Sequence, residues 1–167
     1  GDWTSSLIDL YKEKFNKLSD SRLVVLNQSP HYIQSYDAPT VIEAIRRIIY
    51  PDAEVILNKT LSEKGVDSTI MLYKKMRSKY PPDLLPERVL NTLGYQILNK
   101  DAAAAIRLFA LNAELYPASS NVYDSLGESY MVAGDKAQAI KNYEKSLTLD
   151  PGNNNAKKML DKLRTTK

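Results

Sequence analysis

The chain has 167 residues with a formal net charge of +3, and 43% of them are hydrophobic and 26% charged. This is the composition of one ordinary globular domain or slightly more, and the slight positive charge argues against nucleic-acid binding. There is no cysteine, hence no disulfide framework or thiolate metal site, and no apolar run reaches the roughly 18 residues of a membrane span.

The first fifty residues predict a helix, a buried strand, a loop and a second helix. A helical stripe of aromatic residues and leucines begins at Trp3 and ends near Leu18. The apolar, β-branched run from Leu23 to Leu26 is typical of a buried strand. The following loop holds His31, the only histidine. Pro39 then begins a helix at a position where its missing N–H costs nothing.

This order resembles the C-terminal end of the α/β-hydrolase fold and looks especially like bacterial esterases. In that family the last core strand leads into a loop with the catalytic histidine, and a final helix follows. The resemblance implies these roles for Leu23 to Leu26, for His31 and for residues 38–49. Pro30 departs from the pattern, because many members carry glycine there.

His31 is catalytic only in a longer hydrolase, because the chain contains no G-x-S-x-G nucleophile elbow. Residues 1–51 are therefore either the histidine-bearing part of a serine esterase whose nucleophile lies upstream of residue 1, or a hydrolase-like end reused as scaffold. In this chain alone His31 is interpreted as a structural loop residue. A lone strand leaves backbone groups unpaired, so we also expect that Leu23 to Leu26 could pair in a homodimer.

Residues 52–82 predict two helices that meet at Gly65. Thr69 and Tyr73 lie on the apolar stripe of the second helix, which Tyr80 and Pro81 follow. This segment can be laid over two better copies further along the chain, and we interpret it as a degenerate repeat.

Residues 86–118 and 120–151 repeat one pattern at a fixed period. Each copy has a helical stripe, a turn and a second stripe that ends before a proline, which is typical of an antiparallel helix hairpin. Leu93 to Ala105 spans 12 positions and Leu126 to Ala139 spans 13, so the first turn, at residues 99–101, is expected to be one residue shorter. Pairs of residues 34 apart are Ala105 and Ala139, Phe109 and Tyr143, and Pro117 and Pro151.

A period of this size indicates stacked helix pairs. Gly127 and Ala139 are small where two helices would approach closely, and Gly134 suits a left-handed residue at a helix end. The two copies resemble the tetratricopeptide repeat (TPR) family. The positions that match its pattern are Leu126, Gly127, Tyr130, Ala139, Tyr143 and Pro151.

The predicted fold is mostly α, with TPR-like stacked hairpins at 52–167 that follow a hydrolase-type segment at 1–51. About three units are needed for such a stack to be stable, which favours counting residues 52–82. Residues 153–165 predict a capping helix with one apolar and one charged stripe. The apolar stripe consists of Ala156, Met159, Leu160 and Leu163.

The TPR resemblance implies a groove, lined by the first helix of each pair, that receives a peptide or a partner helix. The groove residues that it implies are Arg88, Asn91, Tyr95, Asn99, Asn121, Asp124, Glu128 and Met131. The set does not resemble the clamp rich in Lys and Asn by which some members hold a C-terminal carboxylate. Tyr95 and Met131 are the expected apolar anchors.

The partner is expected to be a protein or peptide, with no nucleic acid and no membrane span involved. Alternatively, the repeats pack against the protein's own upstream domain and leave no free groove. No G-x-G-x-x-G or G-x-x-x-x-G-K-[ST] pattern occurs, and neither a cofactor nor a metal is expected.

Overall fold

The computed structural model describes Tyr50 and residues 52–165. Within this part the chain is helical and contains no strand, and no helix there is long and apolar enough to cross a membrane. A short 3₁₀ helix, Pro82–Leu84, precedes the second α-helix. The α-helices are α1 (Ala53–Arg77), α2 (Glu87–Ile97), α3 (Ala102–Leu115), α4 (Ser120–Val132), α5 (Lys136–Leu149) and α6 (Asn154–Thr165).

The expectations for residues 1–49 lie outside the described residues. They are the hydrolase-type helix, the strand from Leu23 to Leu26 with its pairing in a homodimer, the loop of His31 and the helix that Pro39 begins. These remain sequence-based predictions.

Helix α1 is broken at Gly65, whose φ of 77° and ψ of −177° are not helical. Two helical segments therefore follow one another directly across a kink, and the predicted break at Gly65 is confirmed. Leu57 and Leu61 before the kink and Tyr73 and Met76 after it are buried in the same apolar cluster. Both segments of α1 thus contribute to one core.

Glycines on α2 and α4 allow the two helices of each hairpin to approach closely. A Cβ atom at Gly94 would lie 2.5 Å from Cζ of Phe109, on α3. A Cβ atom at Gly127 would lie 3.1 Å from ring atoms of Tyr143, on α5. The predicted close approach at Gly127 is confirmed, and Gly94 has the same role in the preceding hairpin.

The predicted shortening of the first turn is wrong: four residues (98–101) join α2 to α3, whereas three (133–135) join α4 to α5. The first hairpin is instead shorter in its first helix, since α2 has 11 residues and α4 has 13. Asp101 and Asp135 cap the second helices, accepting hydrogen bonds from the backbone N–H of Ala104 (2.9 Å) and of Gln138 (3.0 Å). The turn between α4 and α5 includes Gly134, with a φ of 81°, and the backbone N–H of Asp135 donates to the carbonyl five residues earlier. In the turn between α2 and α3 the N–H of Asp101 donates to the carbonyl four residues earlier.

Three apolar clusters succeed one another along the chain. The first joins α1, α2 and α3, the second joins α2, α3 and α4, and the third joins α4, α5 and α6. Ala156 and Leu160 of α6 are buried against Ala139 and Tyr143 of α5. Since each cluster is built from consecutive helices, residues 53–165 form one continuous stack with TPR-like packing.

Candidate functional site

Polar side chains connect four helical segments in succession. These segments are the first part of α1, then α2, α4 and α6, and on α2 and α4 the side chains stand at helical spacing along one side. We call this surface the first-helix face. Its residues are Glu54, Glu87, Arg88, Asn91, Tyr95, Asn121, Asp124, Glu128, Val132 and Asn155.

Two contacts at the starts of the helices recur with the period of the repeat. The guanidinium of Arg88 lies 2.5 Å from the carboxylate of Glu54, which is 34 residues earlier. The side-chain amide of Asn121 donates to the carboxylate of Glu87 (2.7 Å), again 34 residues earlier. The stacking of the helices therefore already pairs the predicted groove residues Arg88 and Asn121.

Tyr95 lies at the centre of the first-helix face, and its side chain is 40% exposed. Its hydroxyl donates to Oε2 of Glu128 (2.8 Å) and lies 3.2 Å from Oγ of Ser125. Its ring meets the edge of Phe109 at a centroid distance of 5.1 Å. The structure thus brings Tyr95 and Glu128 together across α2 and α4.

Burial raises the pKa of Tyr95 to about 12, and the negative charges of Glu128 and Asp124 act in the same direction. Tyr95 is therefore a neutral hydrogen-bond donor over the physiological pH range. The sequence suggested only an apolar anchor here, but the hydroxyl also holds Glu128 in position.

Asp124 is held by two side-chain amides. Its Oδ1 accepts from Nδ2 of Asn153 (3.0 Å) and its Oδ2 accepts from Nδ2 of Asn155 (2.8 Å). Neither Asp124 nor Glu128 forms an ion pair with another described residue. Neutral donors therefore orient both carboxylates without neutralising their charge.

The other three predicted groove residues have different surroundings. Asn91 is partly buried, and its side-chain oxygen is enclosed without a hydrogen-bond partner. Asn99 follows the end of α2 and is exposed. Met131 is partly buried and packs against the third apolar cluster. Met131 therefore faces neighbouring helices more than solvent.

Sequence reasoning missed Glu87, Glu54 and Val132. Glu87 and Glu54 each stand 34 residues before a residue that they bind, so the repeat period was the signal that could have found them. Val132 lies one helical turn after Glu128 and is 45% exposed. It gives the face an apolar side chain that is more accessible than that of Met131.

Within residues 50 and 52–165, no group of three or more His, Cys, Asp or Glu side chains is arranged to hold a metal ion. The face offers carboxylates, amides, a phenol, the guanidinium of Arg88 and a small apolar patch. These groups suit non-covalent recognition of another polypeptide.

The family model for the tetratricopeptide repeat matches residues 120–153. This range begins with α4 and ends just before α6, and it is a tetratricopeptide repeat. The neighbouring hairpin of α2 and α3 has the same arrangement of small and aromatic residues.

Among solved structures, the chain is similar to the first TPR domain of Spaghetti (RPAP3), which is bound there to the HSP90 peptide SRMEEVD. The sequence identity is 22% and the TM-score is 0.48, over 67% of this chain and 87% of that one. No curated protein matches the chain.

Proposed function

We propose that residues 52–167 are a TPR-type interaction module that binds an extended peptide of a partner protein on the first-helix face. The proposed units are residues 52–82, 86–118 and 120–151, with a cap at 153–165. In this proposal the module itself catalyses no reaction. The observation that supports it most is that polar side chains of successive first helices meet on one face, with contacts that recur at 34 residues.

The groups on this face are suited to a peptide in extended conformation. The exposed side-chain amide of Asn121 can donate to and accept from a peptide backbone, which offers both kinds of group at every residue. Tyr95 and Val132 provide exposed apolar surface beside them. Neighbouring side chains already hold the carboxylates of Asp124 and Glu128 in place. Binding of a peptide would therefore cost little additional side-chain entropy at these two residues.

Selection from a displayed library of random peptides, with the whole chain as target, tests this proposal. Binding of the selected peptides should weaken about tenfold or more in Tyr95→Ala, because an exposed central aromatic side chain is a typical binding hot spot. Met71→Ala is the matched control, since Met71 is 72% exposed and lies on the second segment of α1.

Two results would refute the peptide-binding proposal. Either no selected peptide binds the chain, or the selected peptides bind Tyr95→Ala as tightly as they bind the wild type. In either case the alternative gains support, namely that the face packs against the protein's own upstream domain as an intramolecular scaffold.

We propose as a second candidate that residues 1–51 are the C-terminal, histidine-bearing part of a serine esterase. The support is the order of a helical stripe, an apolar run, the His31 loop and a further helical stripe in the sequence. Hydrolysis of a panel of esters by the product of the whole gene should then collapse in His31→Ala. Equal hydrolysis by the variant, or none by either protein, would remove this candidate.

A further inference from the structure

Two carboxylates stand one helical turn apart at the centre of the first-helix face. Asp124 and Glu128 are four residues apart on α4, so they lie on the same side of the helix and repel each other. Their hydrogen-bond partners, two asparagine amides and the Tyr95 hydroxyl, are neutral. The pair therefore carries negative charge that the described residues do not offset with an ion pair.

Tyr143, on α5, provides a second, independent observation beside the carboxylate pair. Its ring packs on Gly127, which stands in α4 between the two carboxylate residues. Tyr143 is fully buried, yet its hydroxyl has no hydrogen-bond partner. Buried hydroxyl groups without a partner are uncommon in folded proteins.

The Tyr143 hydroxyl is close enough to the pair to feel its charge. Burial raises the pKa of Tyr143, and Asp124, Glu128 and Tyr95 act in the same direction. The two carboxylates, which form no ion pair with a described residue, and the ring of Tyr143 therefore meet on one short stretch of α4. A ligand group that neutralises the carboxylates would suit this arrangement.

We propose that Asp124 and Glu128, with the ring of Tyr95 beside them, bind a lysine or arginine side chain of the partner peptide. This inference rests on the proposed function and specifies the chemistry of the partner. An ammonium or guanidinium group donates charge-assisted hydrogen bonds to both carboxylates, which are stronger than those from neutral donors. The exposed part of Tyr95 adds cation–π attraction, and Val132 can contact the aliphatic stem.

The position of this site follows from the charges of the neighbouring helices. On α2 the cation Arg88 is paired with Glu54. On α6 the exposed side chains Lys158 and Lys162 stand 34 positions after Asp124 and Glu128. The acidic centre of the face is therefore confined to α4, and the peptide cation is expected there and not at α6.

The test uses the whole chain, labelled with ¹⁵N, and three short peptides that differ only in charge. All three share one scaffold of Ala, Gly, Ser and Tyr, and they carry lysines, glutamines or glutamates at the same positions. The lysine peptide should shift the amide signals around Tyr95 and Asp124–Val132. Its affinity should exceed that of the glutamine peptide about tenfold, the factor typical of a charged contact.

The double variant Asp124→Asn/Glu128→Gln should abolish the preference for the lysine peptide. Its matched control is Glu114→Gln, which removes an exposed carboxylate of α3 and should keep the preference. The comparison of lysine and glutamine peptides on the unmodified chain needs no variant, so it stays valid if the double variant misfolds.

Equal binding of the lysine and glutamine peptides, or an undiminished lysine preference in the double variant, would overturn this inference. Peptides selected from the library that need Tyr95 but no cation would overturn it as well, and would leave the proposed function standing. A library that yields no peptide for the face would instead refute the proposed function itself.

Discussion

At the residue scale, Gly94 is the described glycine with the least room for a larger side chain. Gly94→Ala would place a Cβ atom 2.5 Å from Phe109, which is fully buried and has little room to move. We expect overpacking to lower the free energy of unfolding by about 1–3 kcal/mol. This loss exceeds the roughly 1 kcal/mol by which alanine stabilises a helix relative to glycine. Urea unfolding followed by circular dichroism should therefore show a destabilised protein.

Gly127→Ala is the matched comparison for this prediction. Its Cβ atom would meet Tyr143 at 3.1 Å, a tight contact that a small ring shift can relieve. We expect its unfolding free energy to lie within about 1 kcal/mol of the wild-type value. A Gly94→Ala protein as stable as the wild type would contradict the packing described for α2 and α3.

The raised pKa of Tyr95 links stability to alkaline pH. Its folded-state value of about 12 exceeds the ordinary 10.0, so the folded protein holds this proton more tightly than the unfolded chain does. The associated stability is complete below pH 10 and is lost as the pH rises through about 12.

Phenolate absorbance during an alkaline titration measures this effect. The wild type should contain a late-ionising tyrosine that Tyr95→Phe lacks. Burial also raises the pKa of Tyr73 and of Tyr143, so a late fraction should persist in the variant. If Tyr95→Phe instead removes a tyrosine that titrates near the ordinary value of 10.0, the burial described for the Tyr95 hydroxyl does not hold in solution.

At the scale of the elements, the backbone carbonyl of Leu85 joins three parts of the stack. The Tyr116 hydroxyl, just after α3, donates to it (2.6 Å). The same hydroxyl accepts from Arg77 at the end of α1 (3.1 Å), and that guanidinium lies 5.3 Å from the centroid of the Tyr116 ring. Tyr116 therefore ties α1, the segment before α2 and α3 together.

Tyr116→Phe should destabilise the chain by about 1–2 kcal/mol, because it removes a partly buried hydrogen bond and leaves the carbonyl of Leu85 with only long contacts. Denaturant unfolding measures the loss. Tyr123→Phe is the control, since Tyr123 is partly buried and contacts Lys145 through its ring. If both variants lose the same stability, the Leu85 junction has no special role.

Two glycines with positive φ control the ends of helical segments. A Cβ atom at Gly65 or Gly134 would have no other atom within 4 Å. Only the backbone conformation therefore makes alanine unfavourable at these two positions. Gly65 combines a φ of 77° with a ψ of −177°, a region essentially reserved for glycine. Gly65→Ala should therefore lower the free energy of unfolding by about 1–3 kcal/mol, and Gly134→Ala should lower it by about 1 kcal/mol.

Thermal unfolding of the two alanine variants tests this order. Gly134→Asn serves as a control, because asparagine tolerates left-handed conformations better than alanine does. A Gly65→Ala protein that melts with the wild type would show that α1 runs straight through this residue.

At the scale of the whole molecule, the hairpins could be predicted because their contacts are local and recur. Gly127, Gly134 and Asp135 act within one hairpin, so their spacing alone indicates the turn and the close approach. The one-residue offset between the two hairpins was readable for the same reason, but the sequence did not show that it falls in α2 and not in the turn. The break at Gly65 was also predictable, although the direct joining of the two segments of α1 was not.

The contacts between hairpins could not be predicted from the sequence in the same way. Whether Tyr95 reaches Glu128, or Asn155 reaches Asp124, depends on how successive hairpins stack. The sequence indicated which helices form the face, but not that its polar groups bind each other. It also favoured Met131 over the more accessible Val132, because an amphipathic pattern does not show how far a neighbouring helix covers a side chain.

The central claim is that the first-helix face binds a peptide, and mapping of amide chemical shifts tests it most directly. A peptide selected on the whole chain is titrated into the ¹⁵N-labelled protein. We predict that the shifts concentrate on α2 and α4 around Tyr95, Asp124 and Glu128, and that Tyr95→Ala needs about tenfold more peptide or more to reach the same shifts. Shifts confined to the exposed side of α1 around Met71, or an undiminished response in Tyr95→Ala, would contradict the claim.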